Sequence, residues 1–285
     1  MKVGEHPVPL AVADLRRFVR ERFRPWATVP LGAILYAAPA SLGRPPALEV
    51  ATGVLATWLG LLCLRIADDL TDLERDRSLH PWRGLPSGAI DPVRLRNANL
   101  VLAAALLVLE STSIWRLAFF VGACAHSLAW LSCRERVHPV ARPFFSNIVF
   151  PCAVLHGAGP SAWRPTILLA LYAWLAAVAH EFAHNVRSPQ EEGPFGPGYA
   201  RALGARGTAL LGSALFATAG VAAVLLWLVL DRPAPFGGAL VGAAAGLSLF
   251  LVRQLRDPEA VSARSLYRAG IAFALMPALG LLVGR

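Results

Sequence analysis

Charged residues are scarce in this chain of 285 residues, because only 16% are charged whereas 56% are hydrophobic, and the mean hydropathy is +0.53. Apolar runs recur almost to the end of the sequence and leave no room for a separate soluble domain. Cysteine is also rare and forms no CxxC pair, so we expect Cys63, Cys124, Cys133 and Cys152 to be small buried hydrophobes. This composition favours a protein with several membrane spans.

The apolar runs predict an all-α integral membrane protein with about nine transmembrane helices around a central cavity. The predicted spans are 27–42, 48–70, 95–112, 114–133, 144–158, 163–184, 207–230, 235–253 and 266–283. Together residues 1–285 form a single transmembrane domain in this interpretation. Residues 1–25 precede the first span as an amphipathic, arginine-rich segment, which is typical of a helix in the membrane interface. That segment lacks the apolar core of a cleavable signal.

Most of the 27 basic residues lie in the N-terminal segment and in the loops that follow every second span. By the positive-inside rule, the N-terminus and these loops are cytoplasmic and the C-terminus is outside. We therefore expect a protein of the cell (inner) membrane with a cytoplasmic active-site face. The net charge of +9 follows from this orientation, so no nucleic-acid partner is expected.

Acidic residues number only 18, yet four aspartates fall within nine residues at the end of the second predicted span. On a helix that turns about 100° per residue, Asp69, Asp72 and Asp76 lie within roughly 60° of one another. Asp68 lies to one side, and Arg65 lies one turn earlier on the shared face. Carboxylates this close repel each other unless a cation lies among them. The alternative is a solvated helix end that is balanced by neighbouring arginines.

A second polar motif, HEFAHNVRSPQEE, begins at residue 180 and ends the sixth predicted span. Within it Glu181, His184 and Asn185 share one helical face. Oxygen ligands at two helix ends, surrounded by arginines, describe a site for a diphosphate that is held through Mg²⁺. The residues expected to contact the diphosphate are Arg83, Arg134, Arg142, Arg187 and Asn147.

The sequence DDLTDLERD, residues 68–76, followed by HPWRGLPSG, residues 80–88, resembles the first signature of the UbiA superfamily of intramembrane prenyltransferases. That signature is [N/D]DxxDxxxD followed by an RPL-type turn and a glycine. Gly84 stands where proline is usual, which we expect only to loosen the turn. The usual second motif, DxxxDxxxD, is replaced by Glu181, Asn185 and Pro189, which is closer to a branch with an ExxRK-type motif.

The resemblance implies an enzyme that ionises an isoprenoid diphosphate with Mg²⁺ and transfers the prenyl group to a lipophilic acceptor, with an aromatic ring as the favoured kind. A terpene cyclase on the same scaffold is the alternative. The implied catalytic residues are Asp69, Asp72, Asp76 and Glu181. The implied metal ligands are Asp68, Asp69, Asp72, Asp76, Glu181 and Asn185. The implied partners are the isoprenoid diphosphate, the acceptor and the lipid bilayer.

Residues 180–184 also read HEFAH, a literal HExxH, in which two histidines one turn apart bind Zn²⁺ and the glutamate acts as general base. An intramembrane zinc metalloprotease is therefore an alternative from another class of enzyme. It needs a third ligand, but Asp231 and Asp257 are the only later aspartates. Both lie outside the predicted spans, and neither is followed by glycine. The early aspartates would also have no role in such a protease.

Overall fold

The structure is a computed structural model that describes residues 10–43, 45–160, 162–186, 198–231, 233–257 and 263–283. In chain order the helices are α1 Leu10–Arg22, α2 Pro25–Gly43, α3 Ala47–Thr71, α4 Leu73–Leu79, α5 Pro92–Glu110, α6 Ile114–Cys133, α7 Arg142–Ser146, α8 Val149–Ala158, α9 Trp163–His184, α10 Tyr199–Val229, α11 Ala234–Arg256 and α12 Ala263–Val283. Two 3₁₀ turns, Arg134–Arg136 and Pro139–Ala141, link α6 to α7. These described residues include no strand.

Helices occupy the positions of the predicted spans, which confirms an all-α protein. Within the described ranges, seven helices are long and apolar enough to cross a membrane, namely α3, α5, α6, α9, α10, α11 and α12. The predicted fifth span is divided between α7 and α8, because Asn147 ends α7 and α8 begins at Val149. With only 10 residues, α8 is too short to span the bilayer by itself. The number nine therefore stays a prediction.

The loop before α5 is fixed at its end by a helix cap. Asp91 accepts hydrogen bonds from the backbone N–H groups of Val93 at 2.8 Å and Arg94 at 3.1 Å, and Pro92 occupies the first helical position. These backbone hydrogen bonds, the Arg94 one foremost, lower the pKa of the Asp91 carboxyl. The cap ends the segment that carries the predicted RPL-type turn, so the turn is held between α4 and α5.

Helix α1 packs onto the protein beside α3 and α5. Phe18 of α1 is fully buried, and it belongs to a core cluster with Ile66 of α3, Ile90 of the loop and Leu95 of α5. A larger core joins α2, α8, α9, α10, α11 and α12. The segment predicted to lie in the membrane interface is thus anchored against the aspartate end of α3.

The contact between α2 and α3 depends on the absence of a side chain at Gly53. A Cβ atom there would overlap with the ring of Tyr36, which is fully buried. We expect Gly53→Ala to lower the free energy of unfolding by about 1–3 kcal/mol, because the ring has to shift within a packed core. Thermal unfolding of the detergent-solubilised protein measures this effect.

Gly60, also on α3, provides the matched control, because a Cβ atom there would meet no other atom within 4 Å. We expect Gly60→Ala to leave the unfolding temperature unchanged or to raise it slightly, since alanine has the higher helix propensity. Equal unfolding temperatures for the two variants would contradict the proposed packing role of Gly53.

Candidate active site

The four motif aspartates lie where α3 passes into α4. Asp72 separates the two helices, but the helical hydrogen bonds continue through it, from the Asp72 N–H to the Asp68 carbonyl at 2.9 Å and from the Asp76 N–H to the Asp72 carbonyl at 2.8 Å. Asp72 itself has φ −88° and ψ 7°, which departs from helical values, so the rotation changes at this residue although the hydrogen bonds span it. The four aspartates therefore stay within one short stretch, but the helix that carries them is interrupted at Asp72.

Asp69 is held by two arginines and is only 6% exposed. Arg22 of α1 binds it through two parallel hydrogen bonds, Nε to Oδ2 at 2.7 Å and Nη2 to Oδ1 at 3.0 Å. Arg65 adds an ion pair, with Nη2 at 2.8 Å from Oδ1. The hydrogen bond to Asp69 raises the pKa of Arg22 above its ordinary value. In the sequence Arg22 indicated only membrane orientation, so its contact with the motif was missed.

The other motif aspartates lie beside arginines that were predicted to bind diphosphate. Arg134, at the end of α6, donates to Asp72 at 2.5 Å, and Arg83 donates to Asp76 at 2.8 Å. Asp68 differs from these two, because its nearest described guanidinium groups lie 3.8 and 3.9 Å away and its side chain is 47% exposed. Two predicted phosphate ligands thus lie at the motif, and Asp68 is its most accessible carboxylate.

Gly84 has a role that its place in the motif did not suggest. Its backbone N–H donates to both carboxylate oxygens of Glu21 in α1, at 2.9 and 3.0 Å. Proline has no N–H and could not make this contact. Glycine in place of the usual proline therefore allows a hydrogen bond between the loop and α1. The α1 residue that accepts it, Glu21, directly precedes Arg22, which binds Asp69.

The arrangement balances four carboxylates against the guanidinium groups of Arg22, Arg65, Arg83 and Arg134. Nowhere in the described ranges do three or more His, Cys, Asp or Glu side chains form a group that could hold a metal ion. Mg²⁺, however, is commonly bound by one or two carboxylates together with substrate phosphate oxygens. The accessible carboxylate of Asp68 and the neighbouring Asp72 fit that kind of site.

Two further predicted phosphate ligands stabilise the segment that leads to α7. Arg142 donates from Nε to the carbonyl oxygen of Val137 at 3.1 Å and lies 3.6 Å from Glu135. Asn147 donates from Nδ2 to the carbonyl oxygen four residues earlier, at 2.8 Å. Neither contacts a motif aspartate within the part of the chain that the structure describes. Arg187 lies outside the described residues.

In the second motif, the Asn185 side chain is hydrogen-bonded to Glu181, the other predicted metal ligand of this motif, one helical turn earlier. The Asn185 Nδ2 group donates to Glu181 Oε1 at 3.0 Å and to the Glu181 carbonyl oxygen at 2.9 Å. This contact keeps Glu181 and Asn185 on one face, as predicted. It also directs the amide donor, rather than the amide oxygen, towards the carboxylate.

Both motifs lie at the same end of the helical bundle, joined by the segment between α6 and α8. Arg134, where this segment starts, contacts Asp72, while Phe144 further along packs on Phe182 of α9 with ring centroids 6.2 Å apart. Tyr199 also packs on Phe182, with ring centroids 4.9 Å apart, and is buried. Among the described contacts, no hydrogen bond or ion pair joins the two motifs directly.

The HExxH histidines pack against an aromatic ring. The His180 ring centroid lies 4.7 Å from that of His184 and 4.8 Å from that of Tyr267 in α12. The Nδ1 atom of His184 lies 2.6 Å from the His180 carbonyl oxygen, which it contacts within the helix. The described residues bring no third metal ligand to this pair.

An apolar cavity of about 290 Å³ lies between α3, α5, α6 and α8. Its wall on α3 runs from Ala67, next to Asp68, to Ala56, which is roughly 16 Å along a helix that rises 1.5 Å per residue. Phe119 and Phe120 line it from α6. This cavity is lined by only four of the helices, α3, α5, α6 and α8, so it does not confirm the predicted cavity at the centre of the bundle.

The far end of this cavity carries a buried charged cluster that the sequence interpretation missed. Glu110 accepts hydrogen bonds from Arg116 at 2.9 and 3.3 Å, and its Oε2 lies 2.9 Å from His156 Nε2. Glu110 and Arg116 are 1% and 4% exposed. The available signal was an acid and an arginine six residues apart where two apolar runs meet.

The fold defined by these helices is that of a polytopic helical membrane protein. No family model matches the sequence, and no curated protein matches it either. The fold is similar to that of a digeranylgeranylglyceryl phosphate synthase, whose structure was solved for insight into biosynthesis in membranes. The superposition covers 96% of this chain and 98% of the synthase, with a TM-score of 0.70 and 17% sequence identity. At that identity, the likeness establishes the fold.

Proposed function

We propose that the protein is a Mg²⁺-dependent intramembrane prenyltransferase that uses an isoprenoid diphosphate as donor and a lipophilic acceptor. One observation carries the proposal: four aspartates pair with four arginines at the end of α3, and the apolar cavity between the helices begins at Ala67, the residue before Asp68. The shared fold with a prenyl-transferring synthase supports it, as does the resemblance of residues 68–88 to the UbiA signature.

The arginines would bind the donor by releasing an aspartate carboxylate and accepting the diphosphate in its place. Arg83 and Arg134 now donate to Asp76 and Asp72, and a diphosphate can accept the same hydrogen bonds in bidentate geometry. Asp69 forms ion pairs with Arg22 and Arg65 and so fixes the positions of their guanidinium groups. The guanidinium groups would therefore stabilise the charge that develops on the leaving diphosphate.

Mg²⁺ would be held by Asp68 and Asp72, with Glu181 and Asn185 as proposed ligands from the second motif. When bound, it supplies positive charge that neutralises the leaving diphosphate. The freed Asp72 carboxylate and the exposed Asp68 carboxylate are the residues best placed for this, because Asp69 already has both oxygens occupied.

The apolar cavity would then protect the allylic cation. The C–O bond breaks with its electron pair on the diphosphate, an acceptor atom forms a bond to the allylic carbon, and a proton leaves the acceptor. Excluding water prevents hydrolysis of the cation. The rings of Phe119 and Phe120 in the wall can stabilise it through their π faces.

Diphosphate release tests this proposal directly. The purified protein is incubated with geranyl, farnesyl or geranylgeranyl diphosphate, with and without a panel of lipophilic aromatic acceptors, in the presence of Mg²⁺ or of EDTA. We expect release from an allylic donor that depends on Mg²⁺, and no release from isopentenyl diphosphate, which cannot form an allylic cation. Mass spectrometry of the organic product separates transfer to an acceptor from cyclisation. Failure of all three allylic donors, or equal release in EDTA, would contradict the proposal.

A further inference from the structure

Helix α1 directs its two acids towards the rest of the protein and leaves arginines on its surface. Asp14 lies 3.6 Å from an arginine of α5, and both carboxylate oxygens of Glu21 accept from a backbone N–H of the loop before α5. Arg16 and Arg20 are exposed, one turn apart, and no described residue forms an ion pair or a side-chain hydrogen bond with either. Like charges at this spacing destabilise a helix slightly. The helix thus carries positive charge that its own acids do not offset.

The exposed arginines surround an open hollow in the protein surface. Arg16, Arg17 and Arg20 line it, together with Ala13 and Glu21. On a helix that turns about 100° per residue, the three arginines lie within roughly 100° of one another. Arg17 uses one N–H group at 3.2 Å from a backbone carbonyl of the loop before α5, and its other donors stay available. The hollow therefore offers several N–H donors and an excess of positive charge to an anion.

The neighbours of α1 place this hollow at the level of the bilayer surface. The inner side of α1 binds Asp69, at the end of α3, and faces Arg94, at the start of α5. Both of these helices are long and apolar enough to cross a membrane. The next helix, α2, begins at Pro25, and its Trp26 is 75% exposed. Tryptophan is enriched where a membrane meets water, so the arginines of α1 lie at the depth of the lipid headgroups.

We infer that the outer face of α1 binds the headgroups of anionic phospholipids, with Arg16, Arg17 and Arg20 donating to phosphate oxygens. The planar guanidinium group suits a phosphate, and basic clusters on amphipathic helices are typical of contact with anionic lipids. A zwitterionic headgroup also has a phosphate, but its ammonium group cancels the charge. The same helix binds Asp69 through Arg22, so α1 links the bilayer surface to the aspartate motif. The inference needs no diphosphate donor and goes beyond the proposed function.

Native mass spectrometry measures the binding. The full-length protein in detergent micelles is titrated with dioleoylphosphatidylglycerol and with dioleoylphosphatidylcholine, and the bound lipids are counted. The two lipids have the same acyl chains and differ in the charge of the headgroup. We expect the first phosphatidylglycerol to bind about tenfold more tightly, since each arginine at an anionic surface contributes about fivefold before screening. Equal affinity for the two lipids would overturn the inference.

A pair of double variants locates the preference. Arg16→Gln with Arg20→Gln is expected to reduce the tenfold preference to about threefold or less. Arg136→Gln with Arg256→Gln is the matched control, because it removes the same charge from exposed arginines of the turn after α6 and of the end of α11. The control should keep the full preference. A preference that survives in the α1 variant, or that is lost equally in the control, would overturn the assignment to α1.

Salt separates charge recognition from contacts with the acyl chains. The preference should fall as ammonium acetate is raised from about 0.1 M to about 1 M, because the Debye length falls from about 10 Å to about 3 Å. A preference that salt leaves unchanged would overturn the inference. Inorganic diphosphate at the concentration of the lipid should leave the bound phosphatidylglycerol in place. Its displacement would assign the hollow to soluble anions instead of lipid headgroups.

Thermal unfolding separates lipid binding from a structural role. Without added lipid, the variant Arg16→Gln with Arg20→Gln should unfold at or slightly above the wild-type temperature, since it removes the repulsion between like charges one turn apart. A marked decrease would mean that these arginines serve folding and would overturn the inference. A lipid preference without diphosphate release from any isoprenoid donor would retain this surface and reject the proposed function.

Discussion

Asp72→Asn is expected to lower the rate of diphosphate release by about 100- to 1,000-fold, the range typical of removing one group that stabilises developing charge. Asp72 accepts a hydrogen bond from Arg134, which also lies 3.9 Å from Asp68, the other motif carboxylate proposed to hold Mg²⁺. The asparagine keeps the size of the side chain but removes its charge. Single-turnover release of diphosphate from an allylic donor measures the loss, and a Mg²⁺ titration should show a raised requirement for the metal.

Glu74→Gln is the matched control for this change. Glu74 lies in α4 two residues further on, its side chain is 82% exposed, and its only described ion pair is with Arg77 on the surface. Exposed pairs of this kind contribute little to stability. We expect wild-type release from this variant. A loss equal to that of Asp72→Asn would indicate a general disturbance of α4, and wild-type release from Asp72→Asn would reject the assignment of the motif.

Arg134→Met separates the two roles at the same contact. Asp72 is proposed to hold the metal, whereas Arg134 is proposed to bind the diphosphate. The arginine variant should therefore raise KM for the donor without changing the Mg²⁺ requirement, while Asp72→Asn should change that requirement. Identical Mg²⁺ and donor dependences for the two variants would mean that Asp72 acts only by positioning Arg134.

The aspartate cluster could be predicted from the sequence because it depends on local geometry. Residues 68–76 follow one another within about two and a half turns, and backbone hydrogen bonds span the interruption at Asp72. The contact between Arg22 and Asp69 joins residues 47 positions apart. It exists because Phe18 is buried against α3 and α5, and no local pattern in the sequence specifies that packing.

Two of the arginines that were predicted to bind the diphosphate lie beside the motif aspartates, and their role as phosphate ligands stays a prediction. Arg83 pairs with Asp76, whereas Arg134 pairs with Asp72 and also lies 3.7 Å from the neighbouring Glu135.

The cavity was predicted at the centre of the bundle, and that position is not confirmed. A cavity does lie along α3, where Ala56, Gly60 and Ala67 line it together with residues of α6 and α8. The position of such a cavity depends on which helices pack against one another, and the hydrophobic periodicity of the sequence does not specify that packing.

Glu110→Ala is expected to be the most destabilising of the changes considered. Glu110 neutralises Arg116 where both are almost fully buried, and removing one partner of a buried pair leaves an uncompensated charge. Such a loss typically costs about 3–5 kcal/mol. Thermal unfolding in detergent should show a large decrease in the unfolding temperature, together with weaker expression.

A double variant shows whether the charge or the packing is responsible. Glu110→Leu combined with Arg116→Met removes both charges and keeps apolar volume, so most of the lost stability should return. If the double variant is as unstable as Glu110→Ala, the hydrogen bond to His156, rather than charge balance, holds this end of the cavity together. If Glu110→Ala unfolds at the wild-type temperature, the pair is not buried within the protein as the structure has it. Recovery in the double variant would identify the uncompensated charge as the cause of the lost stability.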